Sequence, residues 1–168
     1  PRRRERELGG CPKSWIVREG DSRDNPTAYP DYPHPGAAMV QLNLQKGGLE
    51  RGGLGLGKAS RKKETLVDNV KFAGEFLARS KSSAHRLMYL TEPLNSDLHI
   101  SGTATLNITL SSSKPAANLS VWLVALPWEE GDGARIYDNI ITRGWADPQN
   151  QESNSSSAPL EPGKFYSL

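Results

Sequence analysis

The sequence predicts an all-β sandwich that carries no catalytic site of its own. Three observations predict it. Gly and Pro are abundant, 16 and 12 of 168 residues, which suits short strands joined by many turns and is poor for a helix bundle. Apolar and polar residues alternate at period two in several runs, the mark of strands with one buried face. Only one stretch repeats its apolar residues at helical spacing. Apolar residues make up 36% of the chain, below the roughly 45–50% of typical domains, although that range counts Gly and not Tyr.

Taken in order, residues 1–36 read as an extended, proline-rich lead-in and residues 37–168 as the sandwich. Four prolines fall between Pro26 and Pro35; they remove backbone donors and forbid helix. Trp15, Tyr29 and Tyr32 are the candidate anchors of this lead-in, and Trp15–Val17 is a short strand. Ala38–Leu44 is a strand, because Val40, Leu42 and Leu44 alternate with Gln41 and Asn43. A glycine-rich loop follows from Gly47 to Gly57, then a basic patch from Lys58 to Lys63. Residues 66–79 form one short helix or an irregular insertion: Val70, Ala73 and Leu77 have helical spacing, but Gly74 weakens it.

Strand signals dominate the remainder. Leu87–Thr91 is short and apolar. Leu98–Ser111 contains the cleanest period-two run, Leu106, Ile108 and Leu110 alternating with Thr105, Asn107 and Thr109. Leu119–Leu126 is nearly continuously apolar and fits a central strand covered on both faces. Ala134–Trp145 is another strand. Residues 148–162 are Ser/Asn/Gln-rich loop, and Lys164–Leu168 opens one more strand. A strand that starts at the last residues leaves the sandwich truncated at its C-terminus, with an exposed edge.

Charge and composition exclude several function classes. The net charge is +2. Four arginines lie in the first seven residues, but no aromatics interleave with them, so a nucleic-acid groove has little support. Cys11 is the only cysteine, which excludes an internal disulfide and a Cys-based zinc site. No apolar run reaches the roughly 18 residues of a membrane span. The compartment is left open, secretion of a longer parent included.

Gly52-Gly53-Leu54-Gly55-Leu56-Gly57-Lys58-Ala59-Ser60 nearly matches a P-loop. Ala59 stands where a hydroxyl must reach magnesium, and the surroundings read as antiparallel β rather than a parallel α/β sheet. No G-x-S-x-G elbow exists, and His34, His85 and His99 belong to no triad. No two histidines fall at metal-ligand spacing. Glu129, Glu130, Asp138 and Asp147 are glycosidase carboxylates by residue type alone. Trp128 and Trp145 flank turns and are candidate sugar-stacking platforms, whereas Trp122 reads as core. Asn107, Asn118 and Asn154 begin N-x-[ST] sequons, which arise often by chance in a Ser/Thr-rich chain. No catalytic, cofactor-binding or metal residue is assigned.

Two stretches are distinctive. One runs Ile136-Tyr137-Asp138-Asn139-Ile140-Ile141-Thr142-Arg143-Gly144-Trp145-Ala146-Asp147-Pro148-Gln149-Asn150, and the other Pro159-Leu160-Glu161-Pro162-Gly163-Lys164-Phe165-Tyr166. Both resemble the C-terminal, non-catalytic domain of the Xaa-Pro dipeptidyl-peptidases, α/β-hydrolase serine peptidases. Arg86 to Leu94, Asp97 to Thr103 and Ser113 to Val124 are similar to that domain's entry and next hairpin. Tyr29-Pro30 to Pro35-Gly36 is similar to an early proline-rich stretch in which Trp-Pro is more usual. The resemblance covers roughly residues 12–168 and is strongest from Arg86 to Tyr166.

The resemblance implies a jelly-roll β-sandwich, galactose-binding-domain-like, packed on an α/β-hydrolase catalytic domain of the same parent chain. The Ser-Asp-His triad has no matching positions here, so the chain is expected to be inactive alone, with no cofactor. Release of N-terminal X-Pro dipeptides is carried over only to the parent, whose peptide substrate this domain meets indirectly. Neither nucleic acid nor membrane is an expected partner. Arg143, Trp145 and Asp147 are the candidate residues of the interdomain, substrate-rim surface; their alternative role is to fix the strand and its turn. An independent carbohydrate-binding module is the second reading, and a nucleotide-binding protein the third.

Overall fold

The structure, a computed structural model, describes residues 11–18 and 21–168. The arginine-rich arm, Arg2 to Glu7, lies outside the described residues. Two units divide the chain: one holds the residues up to 73 together with 80–103, the other 74–79 with 104–168. The fold is all-β, with short strands in several small sheets and little helix.

In the first unit, β1 (Ser14–Ile16) pairs antiparallel with β2 (Thr27–Tyr29), Ser14 opposite Tyr29. Tyr29 is buried at the end of that pair. Its hydroxyl accepts a hydrogen bond from Arg18 Nε at 2.9 Å, and His34 meets its ring edge-on with centroids 5.1 Å apart. Tyr29 is therefore the anchor of the proline-rich segment. Tyr32 ties its hydroxyl to the Gly102 backbone although its ring is half-exposed, and Trp15 is largely exposed.

Strands β3 (Asn43–Leu44), β4 (Gly52–Gly55) and β5 (Tyr89–Leu90) form one sheet in that order. The glycine-rich loop is thus corrected: part of it is the central strand. The physical reason is space. A Cβ on Gly52 would stand 2.6 Å from Tyr89 Cδ1, and one on Gly53 2.6 Å from Gln45 Oε1. Only glycine lets the ring of Tyr89 lie on the β4 backbone. Pairing is antiparallel between β3 and β4 but parallel between β4 and β5, which departs from the antiparallel surroundings read from the sequence. The strand expected over Ala38–Leu44 is reduced to its last two residues, since β4 meets only Asn43 and Leu44.

Residues 66–73 are irregular. Val67 N donates to Ala84 O at 2.7 Å, and Asn69 Oδ1 accepts from Lys71 N at 3.1 Å, so this backbone spends its groups outside a helical ladder. In the second unit the helix α1 spans only Gly74–Arg79. Gly74 lies against the Trp122 ring, where a Cβ would come within 3.1 Å of Trp122 Cη2.

Strand β6 (Thr109–Leu110) pairs with β9 (Tyr166–Ser167), and Ile108 and Leu168 exchange two further backbone bonds. Among the described residues the long run Leu98–Ser111 makes a ladder nowhere else, because alternation marks a face and does not supply a partner strand. Strand β7 (Leu119–Val124) pairs antiparallel with β8 (Ile140–Ala146) through a register shift at Leu123/Val124. Among the described residues β7 pairs with β8 alone, and Ser120 and Val121 are exposed; it is not a central strand covered on both faces. The strand expected from Ala134 begins only at Ile140. Ahead of it Ile136–Asn139 form a 3-10 turn, in which Arg135 N donates to Asp138 Oδ2 at 3.1 Å. The core of this unit is small: Ile136 is 1% exposed and Leu160 2%. Leu160 N donates to Pro115 O, and Gly163 N to Ser112 O, which pin the Ser-rich loop to the β6–β7 connection.

Candidate functional site

On β8, Arg143 and Trp145 are two residues apart and so share a face. The Arg143 guanidinium lies over the Trp145 ring, 5.0 Å from its centroid, and 5.8 Å from the centroid of Tyr137. Both rings are largely exposed, Trp145 at 68% and Tyr137 at 63%. Each cation–π contact at an exposed site is worth about 0.5–1 kcal/mol, which orders a side chain that would otherwise sample many rotamers. The electrostatic character of the patch is one positive charge framed by two aromatic faces.

Asp147 does not join this cluster. Its Oδ1 accepts from Gln149 N at 2.9 Å, capping the 3-10 turn Pro148–Asn150 beside buried Pro148. Of the three residues singled out from the sequence, two are brought together and the third fixes the turn. Tyr137 was missed: it lies in the 3-10 turn ahead of β8, where strand alternation gives no signal. Asn139 was missed too. It is buried, and its Nδ2 donates to Ala125 O at 2.8 Å and Pro127 O at 2.9 Å, while Oδ1 accepts from Glu129 N at 3.1 Å. A single amide thereby closes the turn after β7. No periodicity signal marks such a residue.

The near-miss P-loop does not lead into a helix as that motif requires, since residues 56–73 hold none. Gly52–Gly55 are ladder residues of β4, with Gly52 N donating to Met88 O. The amides of the preceding turn are also engaged: Glu64 Oε1 accepts from Gly47 N at 2.8 Å and Gly48 N at 2.9 Å. Burial pushes the Glu64 carboxyl up, but hydrogen bonds from Tyr89, Gly47 and Gly48 outweigh it and hold the carboxyl below its ordinary range. Burial and the Glu64 carboxylate together raise Tyr89. Arg86 donates to Gly48 O, Glu50 O and Ser80 O. A phosphate cradle needs amides aimed at open space, and those of Gly47 and Gly48 already face a carboxylate.

The histidine rings have structural partners. Gly36 N donates to His34 Nδ1 at 3.0 Å. His85 Nδ1 lies 2.6 Å from Val67 O; a carbonyl only accepts, so that nitrogen carries the proton. His99 lies beside Tyr29. Among the other aromatics, Arg79 lies over Trp128 and donates to Glu129 O. Trp145 carries a guanidinium over a ring face that a sugar would need.

Residues 11–168 match the family profile described as the X-Pro dipeptidyl-peptidase C-terminal non-catalytic domain. A protein of Rhodopirellula baltica, named as a candidate Xaa-Pro dipeptidyl-peptidase, is 52% identical over 157 residues, 93% of this chain and 25% of that protein. A similarly named protein of Bacillus anthracis is 31% identical over 91% of this chain and 24% of its own length. One from Bacillus cereus is 34% identical over 68% of this chain and 19% of its own length. The chain spans about a quarter of the length of the first two relatives. No solved structure matches it.

Proposed function

The chain belongs to the X-Pro dipeptidyl-peptidase C-terminal non-catalytic domain family, and from that premise we propose that it works as the accessory domain of a longer serine peptidase. The parent releases N-terminal X-Pro dipeptides. In it, residues 37–168 are the sandwich, with the jelly-roll topology of galactose-binding-like domains, and residues 1–36 the lead-in. The domain packs on the α/β-hydrolase catalytic domain and narrows the approach to its pocket, favouring short or unstructured peptides over folded proteins.

The observation that carries this reading is the exposed aromatic–guanidinium stack of Tyr137, Arg143 and Trp145. Tyr, Trp and Arg are the residues most enriched at the energetic centres of interfaces. The relatives' extra length, three quarters of each protein, supports a further domain for this face to meet.

The test is Trp145→Ala in the full-length parent, compared with wild type for X-Pro-nitroanilide hydrolysis and thermal unfolding. A lower melting temperature and a changed kcat/KM are expected. Dipeptide release and stability both equal to wild type would sink the interface role.

A further inference from the structure

We propose that the Tyr137–Arg143–Trp145 stack is a receptor for a carboxylate side chain carried by the parent's catalytic domain, a proposal that rests on the accessory-domain reading above. A guanidinium engages ring faces through its charge, while its N–H groups lie in its own plane and form a fork that fits a carboxylate bidentately. The structure gives Arg143 two ring contacts and, among the described residues, no oxygen acceptor for that fork.

The acids nearest in sequence are otherwise engaged. Asp147 Oδ1 accepts from Gln149 N, and Asp138 Oδ2 accepts from Arg135 N. The alternation of β8 alone would have paired Arg143 with Asp147; the turn at Pro148 takes that carboxylate away. The fork is also held in place. Arg143 sits mid-strand opposite Trp122 in the β7–β8 ladder, and the two rings limit the rotamers of its side chain. Ordering before binding reduces the entropy lost on association. Two exposed aromatic rings framing the charge favour a protein surface over a small anion, because the rings gain only if a partner covers them.

Carbodiimide coupling reads the partner directly. Arginine does not condense with a carbodiimide-activated carboxyl group, whereas a lysine amine does. In the Arg143→Lys parent the ε-amine attacks the activated carboxyl, an amide forms, and the carbodiimide leaves as its urea, for a net loss of one water. The full-length parent carrying Arg143→Lys is treated, digested and mapped by mass spectrometry. The expected product links position 143 to an Asp or Glu outside residues 1–168. A link only to an acid within this chain, Asp138 or Asp147 included, or no link at position 143, overturns the proposal.

A second measurement does not depend on lysine's reach. Arg143→Glu should lower the parent's melting temperature more than Arg143→Gln, and high salt should narrow that difference. Equal shifts for the two variants overturn the proposal as well. The Trp145→Ala parent separates the two failures. If Trp145→Ala disturbs the parent while position 143 gives no external link, the accessory-domain reading stands and the carboxylate receptor falls. If Trp145→Ala is silent as well, both fall.

Discussion

Tyr89 donates its hydroxyl hydrogen to Glu64 Oε2 at 2.7 Å, while the other oxygen of the same carboxylate gathers the amides of Gly47 and Gly48. One carboxylate thus ties the β3–β4 turn to strand β5. The knot explains both how a glycine-rich segment is held in a sheet and why its stability should depend on pH at both extremes.

Glu64 is held below its ordinary value of 4.5, so its contribution is present above that value and lost as pH falls through the folded value beneath it. Tyr89 is raised above its ordinary 10.0, so its contribution is present below pH 10 and lost as pH rises beyond. The sheet should therefore hold a plateau between about pH 5 and pH 9 and loosen on either side. Glu64→Ala should cost about 1–2 kcal/mol, the low part of the range because the site is part-exposed, and remove the acid edge. Hydrogen exchange of the Gly47 and Gly48 amides across pH checks this; an acid edge that survives Glu64→Ala assigns it elsewhere.

Gly52→Ala and Gly55→Ala should differ sharply although both lie in β4. At Gly52 the added Cβ meets the Tyr89 ring at 2.6 Å and Gln45 O at 2.9 Å, whereas at Gly55 it meets nothing within 4 Å. The first should cost about 1–3 kcal/mol through overpacking. The second should be neutral or stabilise by up to about 1 kcal/mol through the unfolded chain. Unfolding midpoints of the two variants, measured side by side, decide it.

Asn139→Ala should cost about 2–3 kcal/mol, because Ala125 O, Pro127 O and Glu129 N lose their shared partner at a buried position. Asn139→Asp should be worse at neutral pH, where a carboxylate would face two carbonyl oxygens. That repulsion raises the folded pKa of the introduced acid above its unfolded value of about 3.9, so the variant's stability should recover as pH falls through the raised value and be regained by about pH 4. Denaturant titrations at pH 4 and 7 test the sign, and a variant equally stable at both values contradicts it.

Residues 58–63 should be the first place a trypsin-like peptidase cuts within this chain. Lys58, Arg61, Lys62 and Lys63 are exposed in a segment without strand or helix, and such segments enter a protease cleft with little local unfolding. Limited digestion of the full-length parent, read by fragment mass, should show this cut first. Initial cleavage at Arg86 or Arg143 would show that the segment is better protected than its backbone implies.

Features set by local signals are legible in the sequence. The ends of β7 and β8 follow from Pro127 and Pro148, and Lys164–Leu168 does open a strand at Tyr166. The family motifs singled out Arg143 and Trp145, which lie together on β8. Where a partner segment decides, the local pattern does not carry the outcome. Leu98–Ser111 alternates cleanly and yet ladders only at Thr109 and Leu110, because a ladder needs a second chain segment as well as a pattern. Gly52–Gly55 has the composition of a loop, and it becomes a strand because β3 and β5 pair with it on either side, with the Tyr89 ring filling the place of a Cβ at Gly52.

The sequence by itself determined the all-β class and the family, because composition, alternation and long ordered motifs are properties of neighbouring residues. Only the tertiary structure decided that Arg143 lies over Trp145 and near Tyr137 while Asp147 turns away to cap Pro148–Asn150. The reason is that β8 begins only at Ile140, after the turn around Ile136 and Asn139, and ends before Asp147. Where a strand starts and stops is set by the segment it pairs with, and one chain's alternation does not contain that information.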